Sequence, residues 1–319
     1  MSRTDDLFAL PGKRVARDPR GKKPRVHFFG TLPFDDGTRV NQKEGQRFGA
    51  QPSYVNDTPH NPQPIALRPT VVALISVNGG VGRSTLATAL SSGLRRMGKS
   101  VVALDLDPQN ALRQHFGVDH ERAGVGGGSL LKTPWATLLQ AGFSGCQVLP
   151  FGDTDTPQKE NLQRWLAREP QWLVRHLSAL ALSEAHTVII DTPAGNNVYL
   201  HQALSVADIV LVVAQPNAAC LGTLDQLDAL LAPHLEREPA PRCHFVINQL
   251  DEHSTFNLGM LDAFKLRRSE YPLAVVHRDP VFSEALAFAT DPLDSKAPSP
   301  ARDDIGDLCR LLVTRKSTA

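Results

Sequence analysis

The fold is decided by ten residues in the first third of the chain, which read Ser76-Val77-Asn78-Gly79-Gly80-Val81-Gly82-Arg83-Ser84-Thr85. A β-branched apolar run, Thr70–Val77, leads into them, and Ser84–Met97 follows with apolar residues at the spacing of a helix. A strand that turns through glycines into a helix is the setting of a phosphate-binding loop. The glycines let backbone N–H groups point inward, and the helix N-terminus adds a positive dipole end. The stretch therefore predicts a phosphate site in which Ser84 supplies a hydroxyl for Mg²⁺.

Beyond this loop, apolar runs alternate with helical patterns as far as residue 315. The further strand predictions are Ser100–Leu106, Thr187–Asp191, Ile209–Ala214, Cys243–Asn248 and Leu273–His277. The further helix predictions are Pro170–Leu182, Leu221–Leu231, Phe282–Ala289 and Asp303–Val313. Continuous apolar strands that alternate with helices predict an α/β domain with a doubly wound, mostly parallel sheet over residues 70–315. The run Gly124–Gly128 is interpreted as a flexible loop.

The loop departs from the pattern G-x-x-x-x-G-K-[ST], because Val77 stands for the first glycine and Arg83 for the lysine. Its tandem glycines resemble instead the variant loop of the MinD/ParA family of P-loop ATPases, which reads K-G-G-x-G-K-[ST]-[ST]. In this register Asn78 replaces the family's first, signature lysine, and Arg83 replaces the second. The resemblance implies ATP and Mg²⁺ as cofactors, with the nucleotide bound by residues 78–85.

Polar residues at later strand ends extend the resemblance. The second strand ends in Asp105-Leu106-Asp107-Pro108-Gln109, which is similar to the family's D-x-D-P-Q switch segment. There the second Asp orients the attacking water, which implies a catalytic role for Asp107 and places Asp105 nearer the metal. Asp191 ends a strand similar to Walker B and is implied to hold the Mg²⁺ shell together with Ser84. Asn248 ends the strand at which the family's Asn meets the adenine.

Two further segments indicate one branch of this family. The chain reads Val276-His277-Arg278-Asp279-Pro280 and then Glu284-Ala285-Leu286-Ala287, which resembles the C-terminal region of the BcsQ (YhjQ) proteins. The segment Leu149-Pro150-Phe151-Gly152 resembles that branch as well. These proteins accompany bacterial cellulose synthase. The resemblance therefore implies an ATP-binding regulator or scaffold whose partners are components of the cellulose secretion system. On residue chemistry alone, the first segment is equally well a charged loop beside the nucleotide.

Charge is unevenly divided along the chain, although the total is balanced at 34 Lys and Arg against 33 Asp and Glu. Residues 1–70 contain 12 basic and 7 acidic residues, whereas the remainder contains 22 and 26. Residues 1–69 are also rich in Pro, Gly, Asp and Asn, which predicts a basic, largely disordered tail. Its segments Asp5–Leu10 and Val26–Gly30 are candidates for docking to a partner, and incidental apolar residues in a solvated tail are an equally favoured interpretation. Residues 316–319 form a short C-terminal tail.

Composition excludes several classes of protein. No apolar run approaches the roughly 18–20 residues of a membrane span, and the first 25 residues lack the hydrophobic segment of a secretory signal. The four cysteines have no paired spacing, which argues against a zinc or disulfide framework and fits a reducing compartment. The prediction is a cytoplasmic protein without membrane insertion, and recruitment to the inner membrane or a cell pole is left open.

The two lysine replacements bear on the reaction. In the MinD/ParA family two ATP molecules lie between two subunits, and the signature lysine reaches the partner's phosphates, which implies a homodimer. Asn78 is uncharged and too short for that contact, and Arg83 is a planar fork rather than a compact ammonium. A positive charge delivered in trans is worth roughly 10³–10⁵ in rate in related phosphoryl transfer. We therefore expect ATP binding with weak or absent hydrolysis.

Two other functions are open on the sequence. A ParA-type ATPase that positions DNA requires a basic face, and the acidic balance of the α/β region makes DNA the less favoured partner. A MinD-like membrane-cycling ATPase requires an interfacial helix, for which the closing helix with Ile305, Leu308 and Leu312 is a candidate. The pattern of that helix favours a role in the core.

Overall fold

Residues 68–314 are described by a computed structural model, and they form one sheet flanked by helices. The candidate docking segments Asp5–Leu10 and Val26–Gly30 lie outside the described residues, as do the C-terminal tail and nearly all of the N-terminal tail. The extent of the tails therefore stays a prediction.

The sheet has eight strands within this part of the chain. They are β1 (Thr70–Ile75), β2 (Ser100–Asp105), β3 (Gln140–Ala141), β4 (Gln147–Leu149), β5 (His186–Asp191), β6 (Ile209–Ala214), β7 (Arg242–Leu250) and β8 (Leu273–His277). Their order across the sheet is β3-β4-β2-β5-β1-β6-β7-β8. All neighbouring pairs run parallel except β3 and β4. The predicted doubly wound, mostly parallel α/β fold is confirmed.

Burial of the central strands explains their continuous apolar sequences. All six residues of β6 are buried, and β1, β2 and β5 each bury every residue after the first. Burial on both faces stabilises such strands by roughly 25 cal/mol per Å² of apolar surface. The register pairs Asp191 with Leu74 on one side and with Asp105 on the other. The strand ends thus bring the glycine loop and the acidic residues to one edge of the sheet, where parallel α/β sheets bind ligands.

Eleven α-helices connect the strands in the described range. They are α1 (Arg83–Arg96), α2 (Ala111–His115), α3 (Val125–Leu130), α4 (Thr156–Leu166), α5 (Trp172–Ala179), α6 (Val198–Val206), α7 (Ala218–Gly222), α8 (Leu224–Leu235), α9 (Thr255–Arg267), α10 (Pro280–Ala287) and α11 (Pro300–Val313). Side chains that accept a backbone N–H begin six of them, namely Asp155, Asn197, Asn217, Ser254, Asp279 and Ser299. No side chain of the described residues caps α1 in this way. Its first N–H groups therefore face the glycine loop without such a partner.

The glycine run was wrongly interpreted as a flexible loop, because it begins the helix α3. Val125 and Gly126 donate backbone hydrogen bonds to Pro150 O and Phe151 O at 2.9 and 2.8 Å. A Cβ on Gly124 would lie 2.4 Å from the backbone N of Gly152, so only glycine allows the two backbones to meet. The glycines serve close packing rather than flexibility.

The closing helix α11 belongs to the core. Its apolar residues Ile305, Leu308, Cys309 and Leu312 are buried, and the helix packs against α1 and β8. Among residues 68–314, no helix has the length and apolarity needed to cross a membrane. The structure thus confirms that α11 has a role in the core, as its apolar pattern predicts.

Candidate nucleotide-binding site

The loop between β1 and α1 has the backbone shape of a phosphate cradle. Gly80 and Gly82 adopt φ angles of 72° and 86°, a left-handed conformation that favours glycine. The Asn248 side chain donates a hydrogen bond of 2.8 Å from its Nδ2 to Val81 O. A Cβ on Gly82 would lie 2.5 Å from that same Nδ2. The loop is therefore fastened to the end of β7 at a point where only glycine fits.

Arg83, the first residue of α1, turns its side chain beneath this loop. Its Nε donates to Thr192 O at 2.9 Å, and its Nη1 donates to Ser76 Oγ and, at 3.2 Å, to Asn78 O. The residue is only 7% exposed. These bonds join the guanidinium to the end of β1 and to the segment after β5, so it faces the edge of the sheet.

Two carboxylates face the Arg83 guanidinium. Its Nη2 lies 3.8 Å from Asp107 Oδ2, and its Nε lies 3.9 Å from Asp191 Oδ1. Asp191 is fully buried, and neither of its carboxylate oxygens has a hydrogen-bond partner within the described residues. Burial raises the pKa of Asp191 to about 6, while the nearby Ser84 hydroxyl and Arg83 act in the opposite direction. The predicted catalytic and metal-binding carboxylates thus share one cation of the protein itself.

Asp105 is the most enclosed of the predicted metal ligands. Its two side-chain oxygens accept backbone hydrogen bonds from Asp107 N at 2.9 Å and Leu112 N at 3.0 Å. Burial, and next the charge of Asp191, raise the pKa of Asp105 well above its usual range. Asp105 therefore shapes the loop after β2, and its predicted place nearer a metal stays a prediction. Asp107 accepts a bond from Gln109 N at 2.9 Å, which leaves its other oxygen toward Arg83.

The donor set agrees with Mg²⁺, but the charge does not. The Ser84 hydroxyl and the Asp191 carboxylate are the oxygen ligands that Mg²⁺ prefers, and the Asp191 oxygens lack partners within the described range. However, the Arg83 guanidinium already lies within 4 Å of Asp107 and Asp191. A divalent cation at the same carboxylates would meet a like charge at short range. The predicted Mg²⁺ therefore does not fit the site while Arg83 occupies this position.

Asn78 occupies the position of the signature lysine of the MinD/ParA family, and its side chain is hydrogen-bonded within its own chain. Its Oδ1 accepts a hydrogen bond of 2.8 Å from Thr223 Oγ1, in the turn between α7 and α8. Its backbone O accepts bonds from Ser76 Oγ and from Arg83. The side chain is thus held within the chain rather than projected outward.

Two glutamines near the loop, Gln215 and Gln249, were not among the site residues predicted from the sequence. Gln215 Nε2 donates to Gln249 Oε1 at 2.8 Å and to Gly80 O at 3.3 Å. Gln249 lies at the irregularity of β7, with a φ of 60°. Both residues lie at or just beyond the ends of strands that the sequence did predict, and this position is the signal that would have found them.

A cavity of about 400 Å³ opens beside the N-terminal half of α1. The predicted nucleotide-binding residues Thr85 and Asn248 line it. Its other walls combine apolar residues with charged ones and include Leu86, Ala89, Val276, Asp279, Phe282 and Glu284. This size lies within the range of small-molecule sites. The cavity adjoins the loop and offers space for a base and a sugar.

His277 lines the cavity and forms a cluster with Asp304 and Glu252, which was not predicted from the sequence. Its Nδ1 lies 2.7 Å from Asp304 Oδ2 in α11, and its Nε2 lies 2.9 Å from Glu252 Oε1 after β7. Burial lowers the pKa of His277, but the hydrogen bonds with Asp304 and Glu252 outweigh it, so the pKa is raised overall. The segment Val276–Pro280 is thereby anchored to two neighbouring elements.

The predicted site residues come together at one edge of the sheet. The loop, Asp107 and Asp191 surround Arg83, and Asn248 lies on the cavity side of the loop. How each residue acts on a nucleotide stays a prediction.

The sequence matches one protein family and also individual proteins of that family. The family described as "Cellulose biosynthesis protein BcsQ" matches residues 70–309. One curated relative, cellulose biosynthesis protein BcsQ of Salmonella typhi, is 29% identical over 219 residues, which is 68% of this chain and 83% of that protein.

Solved structures share the fold at low identity. The septum site-determining protein MinD of Pyrococcus horikoshii, complexed with Mg-ADP, is 21% identical with a TM-score of 0.62 and covers 76% of this chain and 96% of its own. A single-residue variant of McdA from Cyanothece, in complex with ATP, is 19% identical with a TM-score of 0.65 and covers 80% of this chain and 100% of its own. These similarities concern the fold.

Proposed function

The chain belongs to the BcsQ family of cellulose biosynthesis proteins, and on that premise we propose that it is an ATP-binding, dimer-forming regulator or scaffold of bacterial cellulose biosynthesis and secretion, whose own ATP hydrolysis is weak or absent. One observation carries the proposal. The backbone of the phosphate loop is formed, while Asn78 is bound to Thr223 and Arg83 is turned beneath the loop. The site is thus built to hold a nucleotide with little help for its hydrolysis.

Binding of the phosphates is assigned to the backbone. The left-handed glycines Gly80 and Gly82 lead directly into α1, whose N-terminal N–H groups have no capping side chain among the described residues. Such an N-terminus favours a phosphate group through N–H donors and the helix dipole. The cavity next to Thr85 and Asn248 provides the adjoining space for the adenosine. The McdA variant, a fold neighbour solved with ATP, supports the choice of nucleotide.

Weak hydrolysis follows from the charges around the loop. The Asn78 side chain carries no charge and accepts its hydrogen bond from Thr223, so it brings no cation to a partner's phosphates. Asp107, which the resemblance gives the task of orienting water, faces the Arg83 guanidinium at 3.8 Å. A missing trans cation alone lowers phosphoryl-transfer rates by roughly 10³–10⁵.

The proposed partners follow from the family and the site. ATP would join two copies of the chain in a sandwich, and components of the cellulose secretion system would bind the dimer or the tail in the cytoplasm, at the inner membrane or at a cell pole. The burial of the apolar face of α11 disfavours membrane cycling through that helix. The acidic balance beyond residue 70 keeps DNA the less favoured partner.

Single-turnover hydrolysis of radiolabelled ATP, combined with light scattering, tests this proposal. We expect ATP to shift the mass toward a dimer, with a rate about 10³-fold below that of an active ParA protein. Asn78→Lys supplies the missing cation and should raise the rate. Asn161→Lys is the matched control, because Asn161 is exposed on α4, away from the loop. A rate in the unchanged chain equal to that of an active ParA protein would refute the proposal.

A further inference from the structure

We propose that Arg83 takes the place of a divalent cation in this site, so that the chain binds its nucleotide without Mg²⁺. The Arg83 guanidinium lies within 4 Å of Asp191, which is predicted to hold the metal shell, and of Asp107, which is predicted to orient the attacking water. The inference rests on the proposed nucleotide binding, but the position of Arg83 can be tested without a nucleotide.

The Arg83 guanidinium is locked in place. Its hydrogen bonds go to Ser76 Oγ and Asn78 O in the loop after β1, and to Thr192 O in the segment after β5. The planar fork of arginine satisfies several acceptors at once, and it loses little freedom for each bond. Only 7% of the residue is exposed, and moving the side chain outward would break all three bonds. Arg83 is thus a fixed part of the site.

The charge balance around Asp191 also favours Arg83 over a metal ion. Asp191 is fully buried, and a buried carboxylate is strongly destabilised unless a cation lies nearby. Arg83 Nε lies 3.9 Å from Asp191 Oδ1 and supplies that cation, while its Nη2 lies 3.8 Å from Asp107. A divalent metal ion at Asp191 would add two positive charges beside the one that Arg83 already supplies. At such distances inside a protein the repulsion is substantial, because the effective dielectric constant is far below that of water.

An arginine at position 83 differs from a lysine in its hydrogen-bonding geometry. A lysine ammonium is a single point charge and cannot bond Thr192 O, Ser76 Oγ and Asn78 O in the geometry of the guanidinium fork. With Arg83→Lys, we expect the side chain to release the carboxylates and leave them open to a metal. The arginine, rather than positive charge as such, thus displaces the metal.

Titration with Mn²⁺, followed by the electron paramagnetic resonance signal of the free ion and without nucleotide, tests the position of Arg83. Arg83→Met and Arg83→Lys should each bind Mn²⁺ at least about tenfold more tightly than the unchanged chain. Arg96→Met is the matched control, because Arg96 also lies on α1 and pairs with two carboxylates, Asp291 and Asp294, away from the loop. Equal Mn²⁺ affinity in the unchanged chain and in a folded Arg83 variant would overturn the inference.

Binding of a fluorescent ATP analogue tests the consequence. In the unchanged chain, replacing Mg²⁺ with EDTA should change the dissociation constant of the analogue by less than about threefold. In Arg83→Lys, the same replacement should raise the dissociation constant about tenfold or more. A loss of tenfold in the unchanged chain would overturn the inference and leave the proposed function standing. If the analogue binds neither in Mg²⁺ nor in EDTA, the proposed function fails, and the Mn²⁺ titration alone decides the position of Arg83.

Discussion

The side chain of Asn78 accepts a hydrogen bond of 2.8 Å from Thr223 Oγ1, although 145 positions separate the two residues. The bond links the first residue of the phosphate loop to the turn before α8. The bond thereby holds the Asn78 side chain within its own chain. In the MinD/ParA family, which the loop resembles, the residue at this position reaches the partner subunit. The low hydrolysis that we propose therefore has two causes, a missing charge and a tethered side chain.

Thr223→Val should release this tether at little cost in shape. Because a hydrogen bond of a neutral pair contributes about 0.5–1.5 kcal/mol, we expect the free energy of unfolding in urea to fall by that amount. The Thr223 hydroxyl also lies 3.0 Å from Cys220 O, three residues earlier, and this contact is lost as well. Thr137→Val is the control for it, since Thr137 Oγ1 donates to Pro134 O, also three residues earlier, in an exposed turn remote from the loop. A fall no larger than that of the control would show that the bond to Asn78 contributes nothing to stability.

Gly82→Ala should damage the loop directly. Gly82 has a φ of 86°, and a Cβ there would meet Asn248 Nδ2 at 2.5 Å, so both the backbone and the fastening of the loop are affected. We expect a loss of about 1–3 kcal/mol in unfolding free energy, together with weaker binding of ATP. Gly222→Ala serves as the control, because nothing lies within 4 Å of a Cβ at that position. Unchanged stability and affinity in Gly82→Ala would contradict the loop geometry.

His277 should make the stability of the fold depend on pH. Although burial lowers its pKa, the hydrogen bonds with Asp304 and Glu252 raise it overall. A histidine whose folded pKa exceeds its unfolded value, near 6.5, stabilises the fold fully below that value, and the contribution is lost as pH rises through the folded pKa.

We therefore expect His277→Gln to lower the melting temperature by roughly 2–4 °C at about pH 6, and by less at about pH 9. His253→Gln is the matched control on the same side of β7, because His253 is exposed. A His277→Gln effect that stays constant, or grows, from the lower to the higher pH would be the wrong sign for this cluster.

The sequence predicted the parts of the fold that burial dictates. Ile209–Ala214 was predicted with the observed bounds, because a strand buried within a parallel sheet is an uninterrupted apolar run. Leu273–His277 was also predicted with the observed bounds, although it forms an edge of the sheet and buries only Val276. The strands β3 and β4 at one end of the sheet, with two and three residues, are too short to show any period and were missed. The helix α3 was missed because its glycines resemble a loop until the contact with Phe151 and Gly152 is known.

The candidate site, like the fold, was predicted only in part from the sequence. Local order along the chain was enough to find the loop and the acidic strand ends, since each motif lies within a few residues of a strand. The direction of the Arg83 side chain was not predictable, because its partner Thr192 is 109 residues away and becomes a neighbour only through the pairing of β1 with β5. The same holds for the bond between Asn78 and Thr223. Contacts of this kind decide the chemistry, and they depend on the assembled sheet.

We propose, above all, that this chain holds ATP and leaves it intact. The most direct test loads the purified protein with ATP labelled at both the α- and γ-phosphates, isolates the complex by gel filtration, and follows the bound nucleotide over time. We expect the protein fraction to retain ATP with both labels for many times the turnover time of an active ParA protein. Bound nucleotide that loses its γ-label within that turnover time, or a protein fraction that carries no nucleotide, would contradict it.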